Sequence, residues 1–174
     1  MLVLKILGGI LIIISSILIG LIKAKDFEKR TADLRDIISI LQVLETEICY
    51  KSNILSVAML NCAQLKSGSN TASFFKRASE LLENRDMSSE EAWHEAVTKN
   101  IKKTSLREED LQILLCLGNS LGTSDYEGQI KNIGFIIKQV DGQVAKADAE
   151  CSKYQAMYRK LGILSGIAVV IMLF

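Results

Sequence analysis

Residues 130–174 read IKNIGFIIKQVDGQVAKADAECSKYQAMYRKLGILSGIAVVIMLF, and their spacing decides the fold. Ile130, Ile133, Ile137, Val140, Val144, Ala147, Cys151, Tyr154, Tyr158 and Leu161 recur at alternating steps of three and four. That heptad-like period puts one apolar seam along a helix and calls for coiled-coil-like packing against a neighbour. The chain contains no proline, and no glycine pair breaks the stretch. One helix is therefore predicted from about Tyr126 to the end, about 70 Å long at about 1.5 Å per residue. Gly134 and Gly142 each weaken it by about 1 kcal/mol relative to alanine. Two partners are open to the seam: the first helix of the same chain, which is the preferred reading, or a second copy.

Past Leu161 the helix changes character, because residues 161–174 carry no charge at all. The N-terminus mirrors it: from Leu2 to Ile22 the only charge is Lys5. Every acidic residue lies between, from Asp26 to Glu150. This predicts a chain held to a membrane at both ends. Residues 1–22 form a transmembrane helix, 23–160 a cytosolic helical bundle, and 161–174 a membrane helix continuous with the last bundle helix. The first run is long enough to span if Lys5 reaches the headgroups. The second reaches only about 21 Å as a helix. It spans if the bilayer thins or Tyr154 to Tyr158 enter the interface. The N-terminal run is long for a signal peptide and no small-x-small site precedes Lys23, so it reads as an uncleaved anchor. Lys23, Lys25, Lys29 and Arg30 follow the first run, and Lys153, Arg159 and Lys160 precede the second. By the positive-inside rule these basic flanks are cytoplasmic and both termini lie on the far side.

Between Asp26 and Glu150 there are 20 acids and 15 lysines or arginines, so the middle is acidic. A nucleic-acid partner would want the opposite balance. The acidic surface reads first as solvated, and otherwise as attractive to a basic partner. Helical periodicity runs through this region. Leu34, Ile37, Ile38, Leu41, Leu44 and Ile48 share one face. Further helices are predicted from Asn53 to Leu65, stopping at Gly68, and from about Asn70 to Glu83. Ser88 with Glu91, Ser105 with Glu108, and Ser124 with Glu127 each match a Ser-x-x-Glu capping box, which marks three more helix starts. Gly122 suits the C-terminal cap of the helix before the last box. The fold class is thus all-α: an antiparallel bundle of about six helices between two membrane helices.

Chemistry is sparse. His94 is the single histidine, so histidine triads and two-histidine metal sites lack partners. It reads as a partly exposed helix residue beside Trp93, itself a core or rim anchor. No phosphate-binding Gly-x-x-x-x-Gly-Lys-Ser/Thr occurs. Cys49, Cys62, Cys116 and Cys151 show no Cys-x-x-Cys pairing and read as reduced; three of them sit among apolar residues on apparent helices and read as buried structural thiols. Glu45 and Glu47 stand two apart in LETEICY and project to different sides of a helix, with Glu45 nearer the apolar face. They read as a structural ion pair or a contact to a partner protein or cation, not as catalysts. No catalytic, cofactor-binding or metal-ligating residue is assigned. Gly162 and Gly166, with Ser165 nearby, form a small-x-x-x-small pair, as do Ser16 and Gly20. Such pairs let membrane helices approach closely, within one chain or between copies in a homo-oligomer.

Together, the terminal anchors, LETEICY (44–50), Ala92-Trp93, LGNSLGTSD (117–125) with Gln129, and YRKLGILSG (158–166) resemble the stage III sporulation protein AB family of endospore-forming bacteria. The resemblance covers nearly the whole chain in order. One departure is Ser52-Asn53-Ile54, where that family often places a proline soon after its LEAEI-x-Tyr stretch. The resemblance implies a subunit of the trans-envelope complex between mother cell and forespore. It is similar to the inner-membrane platform protein of type II secretion and type IV pilus systems, whose cytoplasmic domain is a six-helix bundle. It further implies a cytoplasmic secretion-type ATPase and other membrane subunits as partners, no cofactor, and a place in the mother-cell membrane. On this reading the protein is a non-enzymatic platform. Glu45, Glu47, Gly118, Gly122, Asp125 and Gln129 would make the partner-binding surface, with Gly118, Gly122 and Asp125 building its helix turn. The alternative is a membrane-anchored signalling or stress sensor that dimerises through its heptad helix.

Overall fold

The computed structural model describes residues 2–51, 54–83, 87–122 and 126–173. Most side chains before residue 25 and after residue 154 fall outside that description. Among the described residues the chain is all-helical: α1 (Leu2–Lys51), α2 (Leu55–Leu65), α3 (Ala72–Glu83), α4 (Ser89–Asn100), α5 (Glu108–Gly118) and α6 (Tyr126–Leu173). A single 3₁₀ turn, Ile101–Lys103, follows α4. The continuous helix expected from Tyr126 is present as α6, 48 residues long. No helix among the described residues is long and apolar enough to cross a membrane. The spans expected at 1–22 and 161–174 rest largely on side chains outside the described set.

The chain divides into two compact units, Ala32–Ala145 and the paired ends Met1–Thr31 with Lys146–Phe174. In the first, the core follows the predicted periodicity. Leu34, Ile37, Leu41 and Leu44 are buried on α1 as expected. Ile40 is buried with them, whereas Ile38 is only half-buried. Facing elements contribute Met59 and Cys62 of α2, Phe74 and Phe75 of α3, Trp93 and Val97 of α4, Leu114 and Leu117 of α5, and Ile133, Ile136 and Val140 of α6. Of the predicted seam, Ile133, Val140, Val144 and Ala147 are buried within this single chain. Ile136 and Gln143 are buried too, outside the strict three-four spacing. Ile137 is half-exposed, because a straight helix of 3.6 residues per turn drifts off a 3.5 repeat.

Consecutive helices pack on one another: α2 on α3, α3 on α4 and α4 on α5. Specific bonds set these pairings. The Ser79 hydroxyl donates to the Ser56 carbonyl at 2.7 Å, tying α3 to the start of α2. Lys66, just past α2, pairs with Asp36 of α1 at 2.8 Å. The turn between α4 and α5 is held by the Ser105 N–H, which donates to Asp33 Oδ2 at 2.7 Å. That bond corrects one expected helix start. Ser105 serves the turn instead of capping a helix, and α5 begins at Glu108, where the Arg107 N–H donates to the Asp110 carboxylate at 2.8 Å. The buried Asp110 was the better signal. At α4 the expected capping box is present: Ser88 Oγ accepts from the Glu91 N–H, and the Glu91 carboxylate accepts from the Ser88 N–H. Ser124, of the third box, lies outside the described residues. The helices α2 and α3 begin at Leu55 and Ala72, each two residues later than expected.

The terminal unit pairs the two long helices. Phe27 stacks on Tyr154 with ring centroids 5.2 Å apart, and the buried Arg30 reaches Glu150 at 3.5 Å. As residue number rises on α1 it falls on α6, so the pairing is antiparallel.

Candidate functional site

Because the helices of the larger unit alternate in direction, the end of α1, the start of α4, the end of α5 and the start of α6 gather at one end. The Leu117–Gly122 segment builds its centre. The Ser120 and Leu121 N–H groups donate back to the Leu117 and Gly118 carbonyls, and Gly122 then takes φ +76°. This left-handed step is open to glycine at little cost, but it comes after the turn: α5 ends at Gly118 with Asn119 at its cap position, not at Gly122 as expected. Space also requires glycine here. A Cβ at Gly122 would stand 2.6 Å from Ser89 Oγ, and one at Gly118 would stand 3.0 Å from Trp93 Cδ1. The two glycines therefore seat the end of α5 against the first turns of α4. Trp93 is fully buried, donates its indole N–H to the Leu114 carbonyl at 2.6 Å, and meets Phe75 edge-on at 5.0 Å. It is a core anchor. The Ser120 hydroxyl also accepts from Asn132 of α6, which ties the turn to the next helix.

Glu45 and Glu47 sit on the last two turns of α1, at this same end, but their roles are exchanged relative to expectation. Glu47 is the buried one, and its carboxylate accepts from Asn61 of α2 at 2.9 Å. Glu45 is half-exposed, and no hydrogen bond or ion pair of its carboxylate is found among the described residues. The reason is rotational: the buried face of α1 runs through Leu44 and Ile48, and Glu47 falls on the flank that α2 covers. Burial, with the Glu47 carboxylate adding to it, pushes the neighbouring Cys62 thiol up to about 12. Gln129 is half-exposed on the first turn of α6. Asp125 lies outside the described residues, as do the side chains of Ser16, Gly20, Gly162 and Gly166.

Three exposed acids at this end were read in the sequence for capping or not at all: Glu90 and Glu91 on the first turn of α4 and Glu127 on α6. The Ser88 backbone N–H and hydroxyl hold the Glu91 carboxyl below its ordinary range. Their signal was available, because anionic side chains favour helix N-termini. Together with Glu45 they make this end an acidic surface suited to a basic partner. Among the described residues no group of three or more His, Cys, Asp or Glu side chains is placed to hold a metal. A recess of about 340 Å³ between α2 and α3, lined by Leu60, Gln64, Ser73 and Lys76 among others, holds one charged side chain. None of the four cysteines is in a disulfide; Cys62 is buried, Cys116 is exposed, and Cys49 and Cys151 are half-buried. Three buried thiols were expected, and Cys62 alone is buried.

The fold and this end define an all-α bundle protein with two long terminal helices and an acidic face. Comparison with known proteins makes the class specific. The family model for stage III sporulation protein AB matches residues 5–174. Stage III sporulation protein AB of Bacillus subtilis (strain 168) is 27% identical over 170 residues, covering 98% of this chain and 99% of that protein. A solved structure of a stage III sporulation protein AB aligns with a TM-score of 0.66 and 25% identity, over 71% of this chain and 96% of that one. The chain belongs to the stage III sporulation protein AB family, and its role is in sporulation.

Proposed function

We propose that this protein is a non-enzymatic membrane platform of the channel complex between mother cell and forespore. Both terminal helices insert in the mother-cell membrane, and the bundle projects into the cytoplasm. There it docks a secretion-type ATPase and meets the other membrane subunits. The observation that carries this reading is the acidic end: Glu45, Glu90, Glu91 and Glu127 lie at the end of the bundle where Gly118 and Gly122 seat α5 against Trp93 and Ser89 of α4. A rigid surface of one charge sign docks a complementary partner at little entropic cost. The uncharged runs at 6–22 and 161–174 support insertion, and the continuity of α1 and α6 supports transmission of movement from bundle to membrane.

The test is co-purification of the full chain, in nanodiscs, with the cognate ATPase. Reversing Glu45, Glu90 and Glu127 to lysine is expected to weaken binding at least tenfold, and more at low salt than at high. Glu47 is not a fair target, since Glu47→Lys would strand Asn61 and bury a cation. Undiminished binding by the triple variant would remove the assigned face. The sensor reading needs a seam left open for a second copy, but Ile133, Val140 and Ala147 are already filled within one chain.

A further inference from the structure

A surface helix of a bundle ordinarily turns charged and polar residues outward. The helix α2, LSVAMLNCAQL, has no charged side chain, and its apolar residues face outward as well as inward. Ala58, Met59, Cys62 and Ala63 are buried, but Val57, Leu65 and the preceding Ile54 are exposed, and Leu60 is half-buried. The neighbouring α3 has the ordinary arrangement, with Phe74, Phe75 and Ala78 buried and Lys76, Glu80 and Glu83 exposed. The departure at α2 extends to charge. All 20 acids lie between Asp26 and Glu150, yet residues 48–79 hold none of them and four bases.

Val57, Leu60 and Gln64 stand at steps of three and four, so they form one ridge along α2. Leu60 and Gln64 of that ridge also line the recess of about 340 Å³ against α3. The buried Ala63 and Ala72 make its floor, the half-buried Leu60 and Ser73 its walls, and the exposed Gln64 and Lys76 its rim. Alanine at both floor positions leaves the space open and lets an incoming segment approach the backbone closely. No acid lines the recess. Asp36 of α1, which meets the adjoining turn, is bound by Lys66 at 2.8 Å. Glu80, one turn beyond Lys76, is bound by Arg77 at 3.2 Å, and Glu83 lies two turns along. Lys76 itself has no hydrogen bond or ion pair among the described residues.

We infer that the groove between α2 and α3 docks an amphipathic helix of a partner protein. The apolar ridge of that helix packs on Val57 and Leu60 and fills the recess, and a carboxylate beside the ridge meets Lys76. Apolar grooves take such helices through side chains spaced three and four apart. Charge selects the partner. A single unpaired cation at an apolar groove suits one carboxylate on an apolar ridge, whereas an anionic membrane surface is held by several cations together. The recess adjoins Asp36, which stands nine residues, more than two turns, before Glu45 on α1. A helix seated there leaves the acidic end free.

The experiment is fluorescence anisotropy on the full chain in a non-ionic detergent, with empty micelles as the blank. One labelled synthetic helix carries leucines three and four apart with glutamates beside that ridge, and a second has lysine for each glutamate. The glutamate peptide is expected to bind at least about fivefold more tightly, and Lys76→Glu should reverse the preference. That substitution removes no bond within the chain, so folding does not confound it. Ser73→Leu, which fills the recess, should weaken both peptides. Binding of neither peptide, equal binding of both, or a preference that Lys76→Glu leaves unchanged overturns the inference. Tighter binding of the lysine peptide by the native chain assigns the contact to the acidic end and also overturns it. So does self-association that Ser73→Leu abolishes and neither peptide displaces, since the groove then belongs to a second copy.

Discussion

Gly122 shows how closely one residue can determine a site. Its φ of +76° and the 2.6 Å approach of Ser89 Oγ are separate reasons for glycine, and two substitutions separate them. Gly122→Ala should destabilise the protein by about 1–2 kcal/mol for the left-handed backbone alone, with a further loss from the contact. Adding Ser89→Gly removes the contact but not the backbone cost. Chemical denaturation in detergent should therefore show the double variant recovering only part of the loss. Full recovery would mean that the conformation is unstrained. That Gly122 marks a turn was legible in the sequence, because it stands just before a Ser-x-x-Glu box. Its second function was not, since nothing in LGNSLG says that Ser89 lies opposite. The exchange between Glu45 and Glu47 has the same origin. Two carboxylates two residues apart point to different sides, but which side α2 covers is a tertiary fact set by Asn61.

At the scale of elements, side chains on α1 hold the turns of the bundle. Burial alone would raise the Asp36 carboxyl, but hydrogen bonds from Lys66 and Ser69 outweigh it and hold the group below its ordinary range. A depressed folded-state value contributes stability that is present above the unfolded value, near 4, and is lost as pH falls through the folded one. Asp36→Asn should therefore lower the melting temperature at neutral pH and flatten its decline below about pH 4. An unchanged acid limb would contradict the pairing. Helix existence was readable from period and caps throughout, whereas boundaries were less so. Ser105 failed as a cap because its N–H is used by Asp33, 72 positions away. The same scale decides the seam. In a chain whose native cysteines are replaced by serine, Phe27→Cys with Tyr154→Cys should cross-link within one chain, and Phe27→Cys with the exposed Ala149→Cys should not. A cross-linked dimer would show that the seam pairs between copies instead.

For the whole molecule, the two ends of the bundle differ in charge: acids gather at Glu45, Glu90, Glu91 and Glu127, whereas at the other end Lys102, Lys103 and Arg107 stand among Asp33, Glu108, Glu109 and Asp110. That difference was invisible in the overall composition, where bases and acids nearly cancel. It emerges only when alternating helices collect residues distant in sequence. The account's central claim is that both terminal helices enter one membrane and the bundle stays on a single, cytoplasmic side. Cysteine accessibility in sealed cytoplasmic-side-out vesicles tests it most directly. Single cysteines at position 116, already exposed on α5, and at positions 2 and 174 are labelled by a membrane-impermeant maleimide. Cys116 should label in intact vesicles, and both terminal cysteines only after the vesicles are opened. Labelling of either terminus in intact vesicles, or protection of Cys116, would contradict the account.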